Sequence, residues 1–325
     1  MSDYSVFDMH HCMLCPRNCG ADRAGGFLGF CGCTDQPEAA RAALMAYEEP
    51  CLSAGAGSGA VFFTGCSLGC IFCQNAEISS ARRSAAGKRR AGTPLTQERL
   101  AEIFLNLQEQ GAVNINLVTP SHFVPALVPA LENAKNRGLS VPVVYNTSAY
   151  EKVEAIRALE GLVDIYLPDL KFCDSHLSKA WCGADDYFAV AGEAIGEMVR
   201  QCPEPVFSDG SHVFDEGDEE TGKTMQRGVI VRHLCMPGQT EDSRRILRFL
   251  YHTWGNRIFI SIMNQYTPMP QTSGDALLGR ALTDGEYDEV VRYALELGIE
   301  NGFLQEGGTV SESFIPAFDG TGIIR

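Results

Sequence analysis

Three cysteines close together in the sequence, Cys66, Cys70 and Cys73, form a C-x3-C-x2-C motif. Thiolates spaced this closely can hold one iron–sulfur cluster, because a single short loop is able to wrap it. They would bind three corners of a 4Fe–4S cluster, and the next cysteine along the chain is Cys173, so the fourth iron has no protein ligand nearby. An open coordination position is typical of a catalytic metal site. Zinc is the weaker interpretation, since structural zinc takes four ligands, often from paired C-x2-C knuckles.

A second group of cysteines lies near the N-terminus and consists of Cys12, Cys15, Cys19 and Cys31. Four thiolates suit a closed tetrahedral site, which would hold either zinc or an accessory iron–sulfur centre. The segment is too short to have a core of its own, so metal binding would supply its folding free energy. His11 and Cys33 are further candidate ligands. A structural metal and an electron relay to the first cysteine group are both open functions for this site.

The composition of the chain excludes several kinds of partner. Among 325 residues, 41 are acidic and 26 are basic, which gives a formal net charge of −15. A general nucleic-acid binder, or a protein that docks on an anionic membrane, needs an excess of Lys and Arg instead. The sequence has no apolar run of the roughly 20 residues that span a bilayer and no apolar signal segment at its start. We therefore expect a cytoplasmic protein, in which the 13 cysteines are reduced and the clustered ones bind metal.

Strand-like and helix-like segments alternate from about residue 60 onward, and the last helix begins at a capping box of Thr283 and Glu286. Repeated βα units build a parallel sheet with right-handed crossovers, and six units are fewer than the eight of a closed barrel. We therefore predict an α/β fold with an open, partial barrel whose functional residues lie at the C-terminal ends of the strands. The predicted strands are 60–64, 113–118, 141–145, 163–167, 228–232 and 257–263, and the predicted helices are 96–110, 125–137, 151–159, 177–201, 240–253 and the capped helix that ends at Leu297.

The C-x3-C-x2-C motif follows directly after the first predicted strand. With Phe72 in its aromatic position, it resembles the radical S-adenosylmethionine (radical SAM) superfamily, whose signature is C-x3-C-x-aromatic-C. The resemblance implies a partial (β/α)6 barrel, similar to a TIM barrel, over residues 51–325, preceded by a small cysteine-rich metal-binding segment over residues 1–50. It also implies a 4Fe–4S cluster that binds S-adenosylmethionine (SAM) at its open iron. One electron from this cluster then cleaves SAM to a 5′-deoxyadenosyl radical, which abstracts a hydrogen atom from the substrate.

The same resemblance implies cofactor-binding residues at the ends of the next strands. The end of the second strand often carries Gly-Gly-Glu in this superfamily, but here it carries Thr119 and no carboxylate. Asn146 lies where glycyl-radical activating enzymes have an Asp-Thr-Asn-Gly motif, and Asp169 and Lys171 match their Asp-Leu-Lys motif. We expect these four residues to bind SAM, with Lys171 beside its carboxylate.

The fifth strand leads into a segment that resembles the Val-Arg-x-x-x-x-Pro-Gly motif of the same activating enzymes. The resemblance implies that Arg232 and His233 face the barrel mouth and bind the cofactor. His122, after the second strand, is either a site residue or a structural histidine.

The N-terminal Cys-x-Leu-Cys-Pro-Arg-x-Cys-Gly motif and the later Phe-Phe-x-Gly-Cys motif are similar to one branch of the superfamily, the proteins that resemble pyruvate formate-lyase-activating enzymes. This similarity implies an anaerobic oxidoreductase that abstracts hydrogen from a glycine of a partner enzyme, from a peptide or from a small molecule. It also implies a low-potential electron donor similar to flavodoxin or ferredoxin. Two departures leave the glycyl-radical partner open: residues 55–59 replace the usual Asp-Gly-Pro-Gly-x-Arg stretch, and the extra cysteines precede the signature.

The alternative function is a non-enzymatic iron–sulfur protein that transfers electrons through both cysteine groups. The missing fourth ligand and the six βα units favour an enzyme instead. The charged runs 82–90 and 209–220 are interpreted as solvated loops. The remaining cysteines have no ligand spacing and are expected to be small buried hydrophobes, namely Cys51, Cys173, Cys182, Cys202 and Cys235.

Overall fold

The computed structural model describes residues 6–79, 91–215, 217–305 and 315–324. The basic run 82–90 lies outside these residues, whereas most described side chains of the acidic run 209–220 are exposed, as expected for a solvated loop. The strands are β1 (Glu38–Met45), β2 (Ser58–Phe63), β3 (Thr93–Pro94), β4 (Ile115–Val118), β5 (Val143–Thr147), β6 (Ile165–Pro168), β7 (Val206–Phe207), β8 (Met225–Leu234), β9 (Phe259–Met263) and β10 (Gly302–Leu304). The helices are α1 (Ala76–Ser79), α2 (Gln97–Glu109), α3 (Val124–Asn136), α4 (Val153–Arg157), α5 (Ser175–Cys182), α6 (Tyr187–Gln201), α7 (Asp218–Thr221), α8 (Thr240–Trp254) and α9 (Asp284–Leu297).

The strands form one open sheet in the order β3-β1-β2-β4-β5-β6-β8-β9-β10, and β7 pairs with β8 beside it. All pairs from β2 to β10 along this order are parallel, whereas β1 and β3 are antiparallel. The prediction of a partial, unclosed α/β barrel is thus confirmed. All six predicted strands are present, and β10 adds a parallel strand that the sequence analysis missed.

The sheet begins earlier than the predicted domain boundary at residue 50. Strand β1 lies within residues 1–50, yet it pairs with the whole of β2, and Ala42 faces Val61 in this register. The backbone of β1 also has a hydrogen-bond partner outside β2, because Ala42 N–H donates to Thr321 O at 2.8 Å. An antiparallel partner removes the exposed edge of β2, so residues 38–45 belong to the sheet and not to a separate cysteine-rich segment.

Local sequence signals explain where several helices begin and end. The Thr96 hydroxyl caps α2 by accepting from Arg99 N–H, and the capping box of Thr283 and Glu286 begins α9 as predicted. The prediction of one helix over residues 177–201 is wrong, because α5 ends at Gly183, whose φ is +62°. Glycine adopts this left-handed conformation without the steric cost of a Cβ, and α6 starts after the turn.

The core lies between the sheet and the helices on its outer face. Strands β4 and β5 are buried at every position, as in parallel sheets that are covered on both faces. Within the described residues, no helix is long and apolar enough to cross a membrane. The parallel strands end together at one edge of the sheet, and this edge carries the candidate site.

Candidate functional site

A cavity of about 270 Å³ lies at the C-terminal ends of the parallel strands. It gathers three thiols, an aromatic ring and several charged or polar side chains from separate strands, as the barrel fold predicts. A larger depression of about 530 Å³ lies elsewhere, against α2, and contains none of the predicted site residues. The predicted residues that line the cavity are Cys66, Cys70, Phe72, Cys73, Thr119, Asn146, Asp169, Lys171 and Arg232.

The three cysteines of the loop after β2 all face this cavity. Gly65 begins the loop with a φ of +84°, and a Cβ there would lie 2.5 Å from Cys33 Sγ, so only glycine fits. Burial, with a smaller contribution from the neighbouring Cys70 thiol, raises the pKa of Cys66 to about 12. Because metal ligation requires thiolates, any metal that binds here must displace these protons.

Four largely buried polar side chains at the ends of neighbouring strands form a network across the cavity. The Asp169 carboxylate lies 2.6 Å from Lys171 Nζ and 2.9 Å from Arg232 Nε. Arg232 Nη2 also donates to Asn146 Oδ1 at 2.7 Å. Burial alone would raise the pKa of Asp169, but Arg232 and Lys171 together lower it below its ordinary value. Asp169 is therefore ionised between two cations.

Glu48 is a member of the cavity wall that the sequence analysis missed. It follows β1, lines the cavity and lies 3.7 Å from Arg232 Nη1. Burial raises its pKa to about 7, and Arg232 offsets this effect only in part. The Glu48-Glu49-Pro50 sequence gave a weak signal of a strand end, but β1 itself was not predicted.

The loops after β4 and β5 are held in unusual conformations beside the cavity. Thr119 has a φ of +58°, which is uncommon for a residue with a branched Cβ, and its N–H donates to Asn146 O at 2.8 Å. Buried Glu151 accepts hydrogen bonds from Tyr145 Oη, at 2.8 Å, and from the Thr147 hydroxyl. Burial raises the pKa of Glu151 to about 7. These contacts fix the Thr147 side of the cavity wall.

The structure corrects the prediction that His233 faces the barrel mouth. Residues along a strand alternate in direction, so His233 points away from the cavity that Arg232 lines. Its ring nitrogens lie 2.9 Å from Leu170 O and 2.9 Å from Ser243 Oγ on α8. Burial lowers its pKa to about 4, so it is neutral. His122 is also buried outside the cavity, with Nε2 2.8 Å from Thr64 O.

The sequence of this region matches a known family. Residues 60–250 match the sequence profile of the radical SAM superfamily. The chain belongs to the radical SAM superfamily. Membership implies a 4Fe–4S cluster and SAM as cofactors. The matched residues include the C-x3-C-x2-C loop and strands β4 to β8.

The individual proteins to which this chain is similar share little sequence identity with it. The uncharacterized protein MJ0674 of Methanocaldococcus jannaschii is 26% identical over 238 residues, which cover 73% of this chain and 60% of that protein. The structure of SuiB from Streptococcus suis bound to its precursor peptide SuiA has a TM-score of 0.47 and 13% identity, and covers 74% of this chain and 46% of SuiB. A domain of pyruvate-formate lyase-activating enzyme from Bacteroides vulgatus has a TM-score of 0.37 and 11% identity, and covers 55% of this chain and 89% of that domain.

The N-terminal cysteine group lies outside the cavity. Backbone hydrogen bonds from Gly20 N–H to Cys12 O and from Cys12 N–H to Ala21 O, both 3.0 Å, fold the segment into a loop. Burial raises the pKa of Cys15 to about 12, with smaller contributions from the nearby Cys31, Cys12 and Cys19 thiols. Within the described ranges, no three His, Cys, Asp or Glu side chains are already arranged to hold a metal ion.

The two cysteine groups are joined by buried polar contacts. Arg23 donates to Cys12 Sγ at 3.6 Å and to His122 O at 2.8 Å. Arg17, between Cys15 and Cys19, donates to Ser67 O at 2.9 Å and to Leu68 O at 2.8 Å. The N-terminal loop therefore packs directly against the radical SAM cysteine loop.

Of the five cysteines that were expected to be small buried hydrophobes, four are buried, namely Cys51, Cys182, Cys202 and Cys235. Cys173 is only half-buried, which corrects that prediction for this residue. It follows β6, and its N–H donates to Asp242 Oδ2 at 3.0 Å. Cys182 is buried against Cys70 of the radical SAM loop, a contact between two thiols rather than between a thiol and apolar atoms.

Proposed function

We propose that this chain is a radical SAM enzyme that abstracts a hydrogen atom from a protein, peptide or small-molecule substrate, in the manner of the glycyl-radical activating enzymes. The cavity at the strand ends carries the proposal, because it brings three thiols together with buried charged side chains. An electron carrier needs no cavity beside its cluster, so this arrangement favours an enzyme over an iron–sulfur electron-transfer protein.

In this proposal, Cys66, Cys70 and Cys73 hold the catalytic cluster. The donor set fits, because all three thiols face one cavity and the lining contains no fourth cysteine among the described residues. When bound, the reduced cluster and SAM supply the radical that abstracts hydrogen. A cluster held by these three thiols would keep one coordination position free for a second molecule, which a site with four cysteines would not.

The polar network supplies groups that complement the amino-acid part of SAM. Lys171 and Arg232 offer cationic donors for its carboxylate, and Asp169 offers an acceptor for its ammonium group. Asn146 and the strained Thr119 turn complete this wall. The side chains of Lys171, Asp169 and Arg232 are only 15–17% exposed, so their interactions are weakly screened by solvent.

Aromatic side chains exclude water from the cysteine side of the cavity. The Phe72 ring lines the cavity and packs 5.9 Å from the Phe172 ring, measured between centroids, and Phe172 packs 5.5 Å from Trp181. Tyr266 packs on Phe72 from the other side at 6.4 Å. An apolar wall that excludes water protects a reactive radical from side reactions.

Formation of 5′-deoxyadenosine tests the proposed reaction. The full-length protein is reconstituted anaerobically with iron and sulfide and is then supplied with SAM and dithionite. We expect the wild type to cleave SAM, Cys73→Ala to lose this activity, and Cys202→Ala, which removes a buried thiol far from the cavity, to keep it. Failure of the wild type with a full complement of iron would refute the proposal.

The N-terminal group is proposed to hold a second metal centre, zinc or iron–sulfur, through Cys12, Cys15, Cys19 and Cys31. The proximity of two of these thiols supports this assignment, since a Cβ placed on Gly29 would lie 3.4 Å from Cys31 Sγ and 3.5 Å from Cys19 Sγ. A flavodoxin- or ferredoxin-like protein is proposed as the low-potential electron donor to the catalytic cluster. Electron paramagnetic resonance with a co-occurring glycyl-radical enzyme distinguishes the substrates, because activation leaves a stable glycyl radical on that partner and the other substrates do not.

A further inference from the structure

Cys182 makes a contact that its place in the sequence does not suggest. It is the last residue of α5 and is buried, and its Sγ lies 3.3 Å from the Sγ of Cys70. It does not line the cavity, so it lies behind Cys70 and not at the open coordination position. A role as the fourth cluster ligand is therefore disfavoured, and a role as a neighbour of the Cys70 ligand is favoured.

The backbone around Cys182 is fixed to the cysteine loop by Arg17. Helix α5 ends at Gly183, and the last carbonyls of a helix have no partner within the helix. The Arg17 guanidinium donates to Cys182 O at 2.8 Å and also to Gly183 O. The same guanidinium donates to Ser67 O and Leu68 O, so one side chain joins the end of α5 to the loop between Cys66 and Cys70.

A second connection acts on the other side of Cys70. Ile71 N–H donates to Trp181 O at 2.9 Å, which places the residue after Cys70 against the residue before Cys182. The Trp181 ring packs against Phe72, with 6.4 Å between ring centroids. The backbones that carry the two thiols are thus held together on both sides.

We propose that Cys182 is a positioning residue of the catalytic centre, whose thiol donates a hydrogen bond to the sulfur of Cys70 when Cys70 ligates iron. This inference rests on the proposed function, in which Cys70 is a cluster ligand. Iron takes Cys70 as a thiolate, whose sulfur can accept hydrogen bonds. The Cys182 thiol is a hydrogen-bond donor, and its Sγ lies 3.3 Å from that sulfur, within reach of an S–H···S hydrogen bond.

A hydrogen bond to a ligand sulfur makes an iron–sulfur cluster easier to reduce, because it stabilises the additional negative charge. Without this bond, the ratio of reduced to oxidised cluster at a fixed potential falls by at most about fivefold, the limit in which the whole net free energy of an ordinary hydrogen bond is gained on reduction. Such a change affects electron uptake and not SAM binding, because Cys182 does not reach the cavity.

The test is a redox titration of the reconstituted full-length protein, without SAM, followed by electron paramagnetic resonance. Cys182→Ala removes the donor, Cys182→Ser keeps a hydroxyl donor, and Cys202→Ala is the matched control, since Cys202 is also buried at a helix end but contacts Asp164 O. We expect Cys182→Ala to reduce at a lower potential with an altered spectrum. We expect Cys182→Ser and Cys202→Ala to remain close to the wild type.

Equal potentials and spectra for wild type, Cys182→Ala and Cys182→Ser would overturn the inference. Equal displacement of the alanine and serine variants would also overturn it, because it would mean that packing and not hydrogen bonding is affected. Failure of the proposed function is distinguishable from both results. In that case the wild type itself has no cluster at Cys66, Cys70 and Cys73 whose spectrum responds to added SAM.

Discussion

The two cysteine groups of this chain lie side by side but differ in what surrounds them. The loop from Cys66 to Cys73 opens onto a cavity with charged walls, and all three of its thiols line that cavity. The N-terminal group, from Cys12 to Cys31, lies in its own loop beside Arg23, with Cys19 exposed to solvent, and none of its thiols lines the cavity. Similar donor atoms are therefore placed beside a cavity with charged walls and in a loop outside it.

This difference teaches that the surroundings, rather than the cysteine count, separate a catalytic centre from a supporting one. An open coordination position can serve catalysis only where a second molecule can reach it, and the cavity at the strand ends provides that access. A closed set of thiols stabilises the loop that carries it. Arg17 connects the two environments, because it belongs to the N-terminal loop and binds carbonyls of the catalytic loop.

The largest expected effect comes from removing one ligand of each group separately. We expect Cys15→Ser to lose one metal equivalent and to keep the SAM-responsive cluster, whereas Cys73→Ser loses that cluster and all formation of 5′-deoxyadenosine. Metal analysis and electron paramagnetic resonance of the anaerobic proteins check both outcomes. If Cys15→Ser loses both centres, metal binding at the two cysteine groups is coupled, which would contradict their description as two separate sites.

The second-largest effect concerns the charged side chains that line the cavity beside Cys66, Cys70 and Cys73. Asp169→Asn leaves Lys171 and Arg232 without the carboxylate between them, which should cost about 3–5 kcal/mol of unfolding free energy, as for other broken buried ion pairs. Denaturant unfolding and SAM binding by calorimetry measure the two consequences. Metal at the N-terminal group should be retained.

The matched control is Asp185→Asn, which removes the exposed ion pair with Lys179. Exposed pairs contribute little because water screens them, so no measurable change in unfolding or SAM binding is expected. An equal loss of stability in both variants would contradict the buried, functional environment assigned to Asp169.

Patterns within single segments predicted much of this architecture. The six strands, the capping box of α9 and the cavity position of Asp169, Lys171 and Arg232 follow from periodicity, motif and the rule that parallel strands end at one edge. The alternation of side chains along a strand favours only one of Arg232 and His233 facing the cavity. It does not decide the matter alone, because the consecutive residues Asn146 and Thr147 of β5 both line the cavity. The position of His233 is set by its hydrogen bonds to Leu170 O and Ser243 Oγ, which no local pattern contains.

Other features depend on contacts that no local pattern contains. Strand β1 has the sequence Glu-Ala-Ala-Arg-Ala-Ala-Leu-Met, which has weak strand propensity, and it is a strand because β2 pairs with it. Glu48 enters the cavity only as a consequence of that pairing. Cys182 meets Cys70 because Arg17 and Ile71 hold α5 against the loop, and its sequence spacing carries no such information.

A smaller effect should come from the residue that joins the two groups. Arg17→Lys keeps the charge but cannot reproduce a fork that reaches four carbonyls, so we expect a loss of about 2–3 kcal/mol in unfolding free energy. We also expect faster loss of cluster iron to a chelator. Arg257→Lys is the control, because Arg257 donates to the nearby carbonyls of Trp254 and Thr253, three and four residues earlier in the chain. It should leave iron retention unchanged.

The smallest expected effect is the pH dependence that Glu151 gives to the cavity wall. Burial raises its pKa from 4.5 to about 7, so the folded protein favours the protonated form. Its contribution to stability is complete below the unfolded pKa and is lost as the pH rises through the folded value. Glu151→Gln is neutral throughout, so the stability of the variant relative to wild type should increase by about 2 kcal/mol between about pH 5 and about pH 7.

Denaturant unfolding at a series of pH values measures this difference, and Glu286→Gln gives the opposite sign. The hydrogen bonds and charge of Arg280 hold the pKa of Glu286 well below its ordinary value, so its contribution is lost as the pH falls. Because Glu151 supports Thr147 at the cavity, SAM binding by the wild type should also weaken as the pH rises through 7. The N-terminal group lies apart from Glu151, so its metal should be retained. A Glu151→Gln variant whose unfolding free energy has the same pH dependence as that of the wild type would show that Glu151 is ionised in the folded protein. The pH dependence of the cavity wall could then not be assigned to Glu151, and in this respect the cavity would not differ from the N-terminal group.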